Sequence, residues 1–195
     1  MSMRYDDEND RRKYYRIDDR IALDFTLIND PVETCEVQPQ SAILFNLLAD
    51  LHQAEYEAQH LLRHITERDR QLAGYLKVIN KRIDLLGQAL AANQLAELGE
   101  PQSVSLSEGG INFTYNQELP IGQWMMLRMV LLPQCLGLEV TAKVVHCQRH
   151  AEGVGIGAEF EGLSDAKRQL LARHILQKQA LERRLAREPM DKDIL

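Results

Sequence analysis

No apolar run in this sequence approaches the roughly 20 residues that a bilayer-spanning helix needs. The opening stretch, Asp6, Asp7, Glu8 and Asp10 followed by Arg11, Arg12 and Lys13, lacks the apolar core of a signal peptide. We therefore expect no membrane insertion and a cytoplasmic location. Surplus positive charge is also missing: 23 Lys and Arg stand against 29 Asp and Glu, a formal net charge of -6. Coating duplex DNA relies on neutralising phosphates with cations, so DNA is not an expected partner, although a local basic patch can still hold a small anion. Cysteine is scarce. Cys35, Cys135 and Cys147 are an odd number with no C-x-x-C pair, which fits neither a zinc site nor a secreted disulfide framework. We read them as buried thiols.

Catalytic signatures are absent as well. His60 and His64 lie four apart with Glu57 nearby, a spacing able to ligate a metal on a helix, but there is no H-E-x-x-H and both fall on a polar flank. They are read as a solvated helix face, and no metal site is expected. There is no G-x-S-x-G, P-loop or dinucleotide-binding fingerprint. Gly153-Val154-Gly155-Ile156-Gly157 falls in an expected strand instead of opening a helix. Neither an enzyme nor a cofactor is expected.

What is present is a folded chain, 45% hydrophobic and 27% charged. Residues 15–28 read as a strand, with Ile17, Ala22, Leu23, Phe25 and Leu27 in partial alternation. Pro31 and Pro39 mark a connector, and no proline follows between Ser41 and Leu98. Over that stretch Leu44, Leu51, Ala58, Ile65, Leu72, Ile79 and Leu86 recur at intervals of seven. Leu48, Leu62, Leu76, Ile83 and Leu90 form a second row four residues behind. The two rows make the a/d seam of a coiled coil, through which the chain is expected to self-associate; the pattern leaves two, three or four chains open. Glu55 and Asp69 interrupt the seam. One unbroken helix would be on the order of 80 Å long, too long for a small domain to cover. The alternatives are an amphipathic helix folded back on its own domain, or two helices in a hairpin, with the bend or turn at 67–70 or at Gly74.

After Gly99 and Pro101 the texture becomes β: residues 103–106, 110–115, 124–132, 138–146 and 154–160 are short β-branched and aromatic segments separated by turn residues. With the first strand they suggest a small six-stranded antiparallel barrel. Ser164 is the expected N-cap of a last helix over 165–187, ended by Pro189. The expected organisation is an acidic flexible start at 1–10, a barrel domain with its C-terminal helix at 11–30 and 102–188, a helical oligomerisation insertion at 40–99, and a frayed tail at 189–195. The class is α+β.

Two clusters carry chemistry, one on each side of the insertion. Arg12-Lys13-Tyr14-Tyr15-Arg16 precedes the first strand, and its two guanidinium forks can converge on a phosphate or a purine edge. Ser105-Leu106-Ser107-Glu108-Gly109-Gly110 lies between two strands. Its hydroxyls and Cβ-free backbone allow close approach to an anion or base, and the same residues also suit a plain hairpin turn.

In this order the clusters resemble the bipartite signature of PilZ domains, R-x-x-x-R before the first strand and [D/N]-x-S-x-x-G on the next two. Arg12 and Arg16 match the first part, and Ser107 and Gly110 the second. The likeness continues through Ile111-Asn112-Phe113 and the 154–160 segment, and the helical insertion resembles that of a subset of bacterial members that assemble through it as tetramers, which implies a homo-oligomer here, tetramer or dimer. The resemblance implies a cyclic di-GMP receptor acting on an unidentified protein partner in motility, pilus or biofilm control. Arg12 and Arg16 would hold phosphates and guanine edges, with Ser105, Ser107 and Gly110 on the opposite side. Ser105 departs from the pattern, standing where Asp or Asn is expected. An oligomeric adaptor that does not bind the nucleotide is the alternative.

Overall fold

The structure, a computed structural model, describes residues 15–30, 39–151 and 153–185. Arg12, Cys35 and the expected end segments at 1–10 and 189–195 lie outside the described residues. The order of elements is β1 (Arg16–Ile28), α1 (Pro39–Arg68), α2 (Arg70–Leu98), β2 (Gln102–Ser107), β3 (Gly110–Tyr115), β4 (Trp124–Leu131), β5 (Leu136–His150), β6 (Gly153–Glu161) and α3 (Asp165–Leu185). The six strands close into an antiparallel barrel in the order β1-β2-β3-β6-β5-β4. The expected fold class is therefore the observed one. Inward residues of alternating strands, among them Ile21, Leu106, Phe113, Leu127 and Ile156, fill the interior. Phe25 packs edge-on to Tyr115 with ring centroids 4.9 Å apart.

β5 is longer than its apolar pattern implied, because Gln148, Arg149 and His150 continue the ladder with β6 while their side chains stay in water. A register irregularity between Val144 and His146 lets the strand turn there. The buried-thiol expectation does not hold for the two described cysteines, both of which are partly exposed. Cys135 sits in the turn before β5 with a φ of 57°, where the chain lies at the surface. What burial it has pushes its thiol pKa up, so the thiol stays protonated.

The insertion is two helices. At Asp69 the backbone leaves the helix (φ -143°, ψ 99°), and the carboxylate accepts from the amides of Gln71 and Leu72, both at 2.9 Å, as an N-cap for α2. One of the two polar residues that interrupt the heptad pattern is thus the residue that separates the two helices. α2 runs back beside α1, so that a Cβ on Gly87 would lie 3.7 Å from Leu51 Cδ1. The small and polar residues Ala73, Asn80, Asp84, Gly87 and Ala91 are wholly or partly covered. Leu72, Tyr75, Ile83 and Leu86 on the same helix remain exposed.

The hairpin is anchored at its base. Phe45 and Leu48 are each 1% exposed and press on β5 where Gly137 leaves room; a Cβ there would come within 3.1 Å of both side chains. Leu48, counted in the oligomer seam from its spacing, is therefore spent on packing within the chain. Ser164 Oγ accepts from the Lys167 amide at 3.3 Å, the expected cap of α3. Leu48→Ala is expected to lower the unfolding free energy by about 2 to 5 kcal/mol in denaturant titrations. A loss below about 1 kcal/mol would mean that α1 does not bear on the barrel as described.

Candidate functional site

The two halves of the sequence motif meet through strand register. Along the first half of β1, Arg16 stands directly opposite Ser107, Ile17 opposite Leu106 and Asp18 opposite Ser105. In the β2–β3 hairpin Ser107 stands opposite Gly110 and Ser105 opposite Asn112. Ile17 and Ile21 point into the barrel, so Arg16, Asp18 and Arg20 point out. The outer surface accordingly carries two neighbouring cross-strand rows. One is Arg16, Ser107 and Gly110, and the next is Asp18, Ser105 and Asn112.

Ser107 and Gly110 are fixed by each other and by β6. The Ser107 hydroxyl is buried and donates to the Gly110 carbonyl at 3.1 Å, which locks the two-residue turn Glu108-Gly109. A Cβ on Gly110 would collide with the Ala158 carbonyl oxygen, so the glycine is required by the approach of β6 itself. These two motif residues are themselves buried in the fold. The polar groups that reach water beside them are Arg16 and Asp18, exposed, and Ser105 and Asn112, partly exposed; Asp18 and Asn112 are not among the expected site residues. Their signal was in the sequence: alternation from Arg16 puts Asp18 on the same face, and a two-residue turn at 108–109 sets Ser105 against Asn112.

Asp19, between the outward residues, points inward at the barrel rim and is 5% exposed. Its carboxylate accepts from His174 Nε2 at 2.7 Å, from Lys178 Nζ at 2.8 Å and from the Arg20 amide at 2.9 Å. Burial pushes the Asp19 pKa up. The hydrogen bonds from His174 and Lys178, the charge on His174 and the Arg20 amide outweigh it and hold the carboxyl below the usual carboxylate range. The cluster ties α3 to β1 within three residues of Arg16. Among the described residues there is no group of three His, Cys, Asp or Glu able to hold a metal ion, and no helix is long and apolar enough to cross a membrane.

The site thus lies on a closed six-stranded antiparallel barrel, with a serine–glycine hairpin facing an arginine on its first strand. A model of the PilZ domain matches residues 80–177, half of the chain, and the chain belongs to the PilZ domain family. The matched span includes Ser105, Ser107 and Gly110 and leaves β1 outside. Among solved structures, a tetrameric PilZ domain from Xanthomonas campestris, self-assembled through a helical bundle, is 17% identical with a TM-score of 0.52. The similarity covers 87% of this chain and 90% of that one. YcgR from Escherichia coli in complex with c-di-GMP is 11% identical with a TM-score of 0.45, over 90% of this chain and 49% of that one. The Bacillus subtilis inhibitor of motility is 18% identical with a TM-score of 0.38, over 42% of this chain and 43% of that one. The first of these likenesses shows the fold. No curated protein matches.

Removing the Asp19 carboxylate leaves His174 and Lys178 without it, and Asp19→Ala is expected to cost on the order of 3 kcal/mol. Because the folded pKa is lowered, the stabilisation is complete at neutral pH and is lost as pH falls below about 4, through the folded value. Urea midpoints measured from pH 6 to pH 3 should therefore drop more steeply for the wild type than for Asp19→Asn. Parallel curves would contradict the assignment.

Proposed function

We propose that this chain is a cyclic di-GMP-binding PilZ-type receptor and adaptor. It passes nucleotide occupancy to a partner protein in bacterial motility, pilus or biofilm control. The observation that carries the proposal is the direct opposition of Arg16 and Ser107 across β1 and β2, with Gly110 next in the same row. A ligand with two phosphates and two guanines calls for planar donor forks, and Arg16 places one at the exposed end of this row. Arg12, outside the described residues, is the second fork of the motif. On this reading Arg12 and Arg16 hold the nucleotide together, and its occupancy alters a surface read by the partner. The protein works in the cytoplasm, without catalysis and without a cofactor.

A nucleotide-free adaptor is the second reading, favoured by Ser105. Replacing Asp or Asn by a short hydroxyl removes a contact worth about 1 to 3 kcal/mol, or about one to two decades of affinity.

Self-association belongs to both readings. Leu72, Tyr75, Ile83 and Leu86 are an exposed apolar stripe on α2, and the Xanthomonas relative assembles through a helical bundle. A stripe of this kind on an antiparallel hairpin is covered by another copy of the same hairpin.

Titration calorimetry with cyclic di-GMP should give binding heat at tens of micromolar ligand, weakened about ten- to a hundredfold in Arg16→Ala. No heat from folded wild-type protein would reject the receptor and leave the adaptor. In sedimentation at micromolar concentration the wild type should be a multimer, and the double variant Leu72→Glu, Leu86→Glu a monomer. A monomeric wild type contradicts self-association.

A further inference from the structure

The row next to Arg16, Ser107 and Gly110 has a chemistry of its own. Ser105 is flanked on one side by Asp18 of β1 and on the other by Asn112 of β3, each its direct cross-strand partner. Directly opposed antiparallel residues have Cβ atoms about 4.5 to 5.5 Å apart, so the two longer side chains stand on either side of a notch with the serine as its floor. Asp18 is exposed and Asn112 half-buried. Among the described residues no hydrogen bond or ion pair engages the Asp18 carboxylate or the Asn112 carboxamide.

We infer that Asp18 restores from the neighbouring strand the contact that Ser105 cannot make. Its carboxylate accepts from the base-pairing edge of one guanine of the nucleotide, and Asn112 closes the other side of the notch. This rests on the receptor reading and assigns its base specificity. The base-pairing edge of guanine presents the N1 hydrogen and the N2 amino group side by side, two parallel donors that suit the two oxygens of a carboxylate. Hypoxanthine keeps the N1 hydrogen and lacks the amino group, while adenine presents an acceptor beside a donor. A carboxylate at this place therefore selects guanine. Asp18 does not confront the ligand phosphates as an isolated anion, because Arg16 and Arg20 lie outward on either side of it along β1. Arg20 is steadied by its bond to the Pro101 carbonyl at 2.9 Å.

The test is calorimetric titration of wild type, Asp18→Asn and Arg16→Ala with cyclic di-GMP and with its hypoxanthine analogue, cyclic di-IMP. Asp18→Asn keeps the shape of the exposed side chain and removes its charge. It should lose about tenfold or more in affinity for cyclic di-GMP and lose most of the preference for it over cyclic di-IMP. Arg16→Ala should weaken both nucleotides alike and keep the ratio. If Asp18→Asn retains the wild-type affinity and ratio while Arg16→Ala loses binding, Asp18 is not the specificity residue and the receptor reading stands. If the wild type binds neither nucleotide, the receptor reading falls and this inference with it.

Discussion

β1 is shared between two neighbours, and much of the molecule depends on that sharing. Its first half pairs with β2 and its second half with β4; Ile21 stands opposite Gln102 on one side and Leu131 on the other. The strand closes the barrel, carries Arg16 and Asp18 outward, and turns Asp19 inward to α3. All of this must be achieved by a segment separated from β2 by two long helices. A straight helix would carry β2 on the order of 80 Å away, and β1 of the same chain could not reach it. The Asp69 cap is therefore a requirement of barrel closure as much as a local feature of the helices.

The same constraint explains why the helices divide their apolar residues as they do. At the base, Phe45 and Leu48 must hold the hairpin on β5, and Gly137 makes the space for them. Farther out there is no barrel to cover. The inner face of α2 is then satisfied by small and polar residues packed beside α1, and the bulkier stripe at Leu72, Tyr75, Ile83 and Leu86 is left in water. Base and stripe answer to different partners, one within the chain and one, on our proposal, in another copy. Because α2 leads within a few residues into β2, a hairpin fixed in an assembly also restrains the strand that carries Ser105 and Ser107.

Much of this was legible in the sequence. The barrel strands announced themselves by alternation and turn residues, and the motif halves were recognisable on either side of the insertion. Where sequence reading fell short, the reasons are physical. A heptad pattern does not say whether a helix is covered by its own barrel, its own return or another chain, so Leu48 was counted with Leu86. Register between strands far apart in sequence is invisible to pattern, so the pairing of Asp18 on β1 with Ser105 on β2 is not legible, although alternation alone puts Asp18 on the outer face. Asp19 broke the apolar alternation of β1 because its partners, His174 and Lys178, lie on α3 near the far end of the chain.

On our proposal β1, β2 and β3 together form the nucleotide face. This is tested most directly by mapping backbone amide shifts in a heteronuclear magnetic-resonance titration with cyclic di-GMP. The amides of Arg16, Asp18, Ser105, Gly110 and Asn112 should move together and saturably, while those around Asp69 at the hairpin tip stay still. Shifts confined to the hairpin or to α3, with this face unmoved at saturating ligand, would contradict it.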